Sequence, residues 1–204
     1  MYPPSPWHLR GQLHLSLFLV PRARLPELPA GVRPLGVAGR IPVGAAWVTY
    51  EPGGDLTYRE LLTAVLVRDG RRPRATITHI WVDSVASRDG GRELWAIPKH
   101  LARLRIAPPA AAATGIATAT LRPGWRLPGR WPTPMSLAQD RGAGLQVTPV
   151  RGTAALALLR TDWSVAPAGP LAWLTGRRPL LSLTLADFRL RFGRLPAHGD
   201  AVQR

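Results

Sequence analysis

Between Gln12 and Val20 the leucines Leu13, Leu15, Leu17 and Leu19 alternate with His14, Ser16 and Phe18. A period of two marks a strand with one buried face, and Pro21 closes it. Val32 to Gly39 reads as a second strand. Ala45-Ala46-Trp47-Val48-Thr49-Tyr50 reads as a third, stopped by the turn Glu51-Pro52-Gly53-Gly54-Asp55. Tyr58 to Val67 fits either helix or strand. Asp69-Gly70 predicts a hairpin turn, followed by a strand over Ala75 to Val82. Further strands are expected over Gly115–Leu121, Gly144–Val150, Ala154–Thr161 and Leu180–Phe192.

Helical signals are sparse. A short helix is expected around Leu25 to Leu28 and another over Asp83 to Arg92, capped by Asp83 or Ser84. Gly53-Gly54 and Gly90-Gly91 read as turns, and Pro123 to Pro134, with Trp125 and Trp131, as a proline-rich loop. Pro3 to Pro6 reads as an extended, poorly ordered lead-in, residues 1–6 being set apart from the domain body, and Gly199 to Arg204 as a tail. No repeat and no long linker divides the 204 residues, so one domain over 1–204 is expected. Its class is mainly β (α+β): antiparallel strands in a sandwich or barrel, with a few short helices.

Composition then narrows the chemistry. Cysteine is absent, which removes disulfides and thiolate metal sites. The histidines His8, His14, His79, His100 and His198 show no metal-binding spacing, so no metal is expected. No Gly-x-Ser-x-Gly elbow or glycine-rich phosphate loop is present, and no cofactor is implied. No apolar run is long enough for a membrane span, and the N-terminus lacks a signal-like pattern, so a soluble cytoplasmic protein is expected. The net charge of +15 raises nucleic acid as a partner, but the arginines cluster only at Arg71-Arg72-Pro73-Arg74 and Arg177-Arg178. A small anionic substrate accounts for a basic protein equally well, and no nucleic-acid partner is expected.

One residue stands out from that charge. Lysine and arginine together number 27, yet Lys99 is the only lysine. Arginine stays protonated at any working pH, whereas a lysine amine can be neutralised and attack a carbonyl. Pro98 fixes the approach to Lys99, placing it at a strand-to-turn or strand-to-helix junction. Leu94, Trp95 and Ile97 offer an apolar setting that disfavours the ammonium, and His100 offers a second cation.

The run Gly91-Arg92-Glu93-Leu94-Trp95-Ala96-Ile97-Pro98-Lys99-His100-Leu101-Ala102 resembles the acetoacetate decarboxylase family's signature G-R-E-[aromatic or apolar]-x-P-K-K-L. The resemblance implies an acetoacetate decarboxylase-like antiparallel β-barrel, a homo-oligomer, and a Schiff base on Lys99 with no cofactor. His100 stands where the decarboxylases carry a second lysine. The family's arginine falls on Arg10, as a carboxylate clamp, with a surface arginine as the plain alternative. One of its two glutamates falls on Glu60, for proton transfer. The other has no counterpart near Ala45 to Thr49, and Glu51 replaces it only with a shifted loop. Glu93 and Arg92 are expected to hold the loop, and Trp95 and Trp81, with Trp47, to wall the pocket. The expected reaction is decarboxylation of a β-keto acid through an imine on Lys99. Aldol, dehydratase or cyclase chemistry on a 2-oxo acid, or ligand binding without catalysis, are the alternatives.

Overall fold

The computed structural model describes residues 1–194, so the predicted tail over 199–204 lies outside the described residues. In chain order the elements are β1 (Trp7–Pro21), β2 (Val32–Pro34), β3 (Arg40–Tyr50), β4 (Tyr58–Asp69), β5 (Arg72–Val82), helix α1 (Val85–Trp95) and β6 (Lys99–Leu101). There follow β7 (Leu104–Ala107), β8 (Ala110–Ala113), β9 (Ala117–Arg126), β10 (Trp131–Pro132), β11 (Met135–Asp140), β12 (Leu145–Val165) and β13 (Leu181–Phe192).

Strands β5, β4, β3, β1, β13, β12 and β11 hydrogen-bond in that order. A parallel bridge from Leu137 to Ala75 joins β11 back to β5 and closes the ring. The class is therefore the mainly β, barrel-like one expected, though the ring is unevenly closed. Beyond the ring, β12 runs on to pair with β9, which continues through β8 to β7. This arm folds back over the ring's outer face, burying Trp47 and Leu61 against Ile106, Ala111, Ala119 and Leu121.

Alternation divides most ring strands between an inner core and an outer face that carries two further clusters. The inner core gathers Ala46, Val48, Ile80, Val82, Leu137, Val150 and Phe188, contributed by most of the ring strands. At one end it is plugged by Trp7, Trp95 and Phe192, whose rings meet edge-on or tilted at 4.6 Å. Such aromatic pairs add about 1 kcal/mol each beyond the area they bury.

Several local expectations are corrected. Tyr58 to Val67 is strand, because its alternate residues supply both cores. The Val32–Gly39 strand shrinks to Val32–Pro34, and the helix near Leu25 is a single 3-10 turn at Arg22–Arg24. Leu25 precedes Pro26 and is driven to extended backbone, at ψ 146°. Half of the proline-rich loop is strand: β9 reaches Arg126, and Pro123 is tolerated because β9 pairs there with β12 alone. The two strands predicted on either side of Gly152 are one 21-residue strand. Gly152 is required where β13 presses close, since a Cβ would sit 2.0 Å from the Arg189 carbonyl oxygen. Gly90 and Gly91 are not a turn; both are buried inside α1. The lead-in is docked, with Tyr2 against the inner core and the Trp7 indole N–H donating to the Pro3 carbonyl at 2.8 Å.

Candidate active site

Helix α1 begins where Ser84 accepts a hydrogen bond from the Ser87 backbone N–H at 3.2 Å. It ends at Ala96, in the left-handed region with φ 54°. The chain then turns through Ile97 and Pro98 into the three-residue β6, which pairs in parallel with β5 so that Lys99 lies opposite Ile80. Lys99 thus sits at a helix-to-strand junction. The Arg92 guanidinium fixes it, donating from Nε to the Lys99 carbonyl at 2.7 Å.

From that junction the Lys99 side chain enters the inner core and is 4% exposed. It fits because Gly91 faces it: a Cβ there would lie 2.7 Å from the lysine Cδ. Its Nζ donates to Glu60 Oε2 at 2.9 Å, to Ser87 Oγ at 2.9 Å and to Tyr58 OH at 3.3 Å. Glu60 is 2% exposed, and its other oxygen accepts from Tyr50 OH at 3.0 Å. Tyr50 and Tyr58 lie opposite each other in the β3–β4 register and stack with centroids 4.2 Å apart.

The electrostatics differ from the expectation of a neutral amine. Burial pushes the Lys99 pKa down, but the Glu60 carboxylate, helped by Tyr58, outweighs it and the net direction is up. At rest Lys99 is an ammonium paired with a carboxylate. Burial, then Glu60, push the Tyr58 phenol up to about 12, against the pull of Lys99. Tyr50 is raised well above its ordinary value by burial, then by Glu60 and Tyr58. Both tyrosines are therefore neutral hydroxyls able to donate and to accept.

Of the residues proposed from sequence, the fold brings Lys99 and Glu60 together. Arg10 is exposed on the outward row of β1, its guanidinium beside Gly53. Among the described residues no hydrogen bond joins it to Lys99, Glu60 or the tyrosines. His100 follows Lys99 in β6, so alternation turns it to the opposite face, where it is exposed and its Nδ1 lies 3.4 Å from Arg92. Trp81 faces the outer core with Trp47, stacked on His79, while Trp95 belongs to the plug. Glu93 is exposed, its carbonyl taken by Arg141. Glu51 accepts from Gln12 at 3.3 Å and is not among the partners of Lys99. Tyr50, Tyr58 and Ser87 were not anticipated. The Tyr58–Glu60 spacing of two, on one face of a strand, is the signal that points to one of them.

The acetoacetate decarboxylase (ADC) family model matches residues 27–124, a stretch that includes Tyr50, Tyr58, Glu60, Ser87 and Lys99. The same fold occurs in acetoacetate decarboxylase from Legionella pneumophila, at 18% identity and a TM-score of 0.65, covering 96% of this chain and 89% of that one. The matched stretch and the shared fold together support an acetoacetate decarboxylase-like family. A second solved relative is the enduracididine biosynthesis enzyme MppR complexed with pyruvate, at 18% identity and a TM-score of 0.69, covering 96% of this chain and 91% of that one. MppR is also known complexed with the condensation product of pyruvate and imidazole 4-carboxaldehyde; that structure is 19% identical with a TM-score of 0.59, over 96% of this chain and 90% of that one. No curated protein matches the sequence. Within the family match, the residues gathered at Lys99 are a buried amine, one carboxylate and three hydroxyls. Among the described residues no helix is long and apolar enough to cross a membrane.

Proposed function

We propose that the chain is a cofactor-independent Schiff-base enzyme acting on a keto acid, with decarboxylation of a β-keto acid as its reaction. The observation that carries this reading is the buried Lys99–Glu60 pair at 2.9 Å, a nucleophile with its proton acceptor inside an apolar barrel. Glu60 takes a proton from the Lys99 ammonium, and the neutral amine adds to the substrate carbonyl. Water leaves, giving a protonated imine. The bond from the α-carbon to the carboxyl then breaks, its electron pair flows into the imine, and carbon dioxide departs, leaving an enamine. The Glu60 proton leaves with that water, so a proton drawn from solvent through Glu60 or the Tyr58 hydroxyl goes to carbon, and water then hydrolyses the imine to free Lys99. Apolar walls favour this loss of charge from the substrate. Arg10 acts at most on the outer surface in this reading, and no clamp is assigned to it.

A second reading keeps the imine but joins the enamine to another carbonyl. Glu60, Tyr58 and Tyr50 supply the acid and base that aldol and dehydration steps need, and MppR is known with pyruvate and with a condensation product.

Borohydride trapping with β-keto and 2-oxo acids tests both, read by peptide mass spectrometry. Lys99 is the only lysine, so an adduct away from the N-terminal amine is on Lys99. An adduct of substrate lacking carbon dioxide is the expected result. One retaining the carboxyl favours the condensation reading. Absence of any adduct overturns both.

A further inference from the structure

The polar cluster at Lys99 does not end the inner face; it lies at one edge of a continuous apolar belt. The strand registers trace it. Lys99 lies opposite Ile80, Ile80 opposite Leu62, Leu62 opposite Ala46, and Ala46 opposite Leu15. Leu15 is in turn opposite Leu183, and Leu183 opposite Leu158. A parallel belt starts at Glu60, opposite Val48, and passes to Leu13, then Leu185 and Leu156. Beyond Glu60 and Lys99 every member of both belts is apolar.

Exposure along these belts is greater at the end away from the site, with Leu62 half-buried between two buried neighbours. Val48, Ile80 and Ala46 next to the site are buried, and Leu15, Leu62, Leu183 and Leu185 are half-buried. At the far end Leu158 is 45% exposed, and Leu181, opposite Leu17 one inward-facing position further along β1, is 46% exposed. The aromatic plug closes the opposite end, so among the described residues the barrel opens from Lys99 through leucine. Its floor is low: the side chains opposite Leu15 and Leu17 are only those of Ala46 and Gly44, and Ala64 follows on β4. Half-exposed leucines on an inner face leave apolar surface in water, and an aliphatic occupant gains from covering it.

We infer that this leucine-lined opening holds the tail of the substrate, which is a keto compound carrying an extended, unbranched aliphatic chain. The inference rests on the imine reading for the reacting end. Its own basis is the register that runs from Lys99 to the open leucines without a polar or charged side chain to receive a hydrophilic substituent.

The experiment is borohydride trapping on the full chain with methyl alkyl ketones, from acetone to methyl nonyl ketone, read as labelling of Lys99. Each added methylene is expected to lower the half-labelling concentration about fourfold until the opening is filled. Leu62→Gln, inside, flattens this gain. Leu158→Gln, at the exposed end where folding is least at risk, removes it for the longest ketones. Labelling that is equal along the series overturns the inference and leaves the imine reading intact. If no ketone labels Lys99, the imine reading fails and displacement of an apolar fluorescent dye by linear alcohols reads the opening alone. Chain-length-dependent displacement, lost in Leu62→Gln, supports it, and no displacement overturns it. A sedimenting dimer that Leu158→Gln converts to monomer, with no chain-length gain, assigns the face to a second copy and also overturns it.

Discussion

At the scale of single residues, the behaviour of Lys99 turns on Glu60. Because Glu60 and Tyr58 together outweigh burial, the free amine is scarce at neutral pH, and labelling of Lys99 rises as the medium is made alkaline. Glu60→Gln removes the main influence that raises the lysine pKa and leaves burial, the largest single one, which lowers it. Its labelling curve therefore moves to lower pH, and on the proposed reaction turnover falls because Glu60 would be the proton acceptor. The same variant loses about 3 kcal/mol of stability, read by denaturant unfolding, because a buried cation is left without its counter-charge. The sign across pH follows: a lysine raised by its partner adds stability that is full at neutral pH and lost only above the ordinary lysine range. Lys99 and Glu60 were legible in the sequence because one is the sole lysine and both sit on recognisable motifs. Tyr50 and Ser87 were not, since only strand pairing brings Tyr50 to Glu60 and a helix turn brings Ser87 to Nζ, and neither leaves a local pattern. His100 misled for a simple reason. Adjacent residues of a strand face opposite ways, so its nearness in sequence is distance in space.

At the scale of elements, α1 carries a conflict between local propensity and packing. A glycine inside a helix costs about 1 kcal/mol relative to alanine, so replacing one ordinarily stabilises. Gly91→Ala does the reverse here, because its Cβ meets the lysine at 2.7 Å. The expected loss is about 1–3 kcal/mol, measured by thermal unfolding, and labelling of Lys99 slows as the side chain is pushed from Glu60 and Ser87. A helix at Gly91 that tolerates alanine without either effect removes the steric account. Sequence reading placed this helix and its Ser84 cap but took Gly90-Gly91 for a turn. Glycine has two uses, conformational freedom and lack of bulk, and only the packed structure separates them. The same ambiguity split β12 at Gly152, where bulk again decides.

At the scale of the whole molecule, the layer between barrel and arm holds two histidines unrelated to Lys99. His14 bonds Thr184 at 3.0 Å and His79 stacks near Trp81 and Trp173. Burial lowers both pKa values, with His100 adding to the effect at His79. Their folded values lie below the unfolded one, so the folded state binds fewer protons as pH falls through the ordinary histidine range, and stability falls with it. The melting temperature should drop by several degrees between neutral and mildly acid buffer, and a His14→Gln, His79→Gln double variant should flatten that dependence. Alternation and turns made the mainly β class legible, but not the closure of the ring or the folding back of the arm, which depend on partners far apart in sequence.

That closure sets a timetable for synthesis. The strands carrying Tyr50, Tyr58, Glu60 and Lys99 follow one another along the chain, so a nascent chain emerging from the ribosome can assemble them early. β1, however, has β3 on one side and β13 on the other, and among the described residues β13 follows every other strand along the chain. Until it arrives the lysine chamber is an open sheet wetted by solvent, where an ammonium and a carboxylate interact weakly. The enclosed, strongly paired state of the amine is thereby deferred until β13 has been translated.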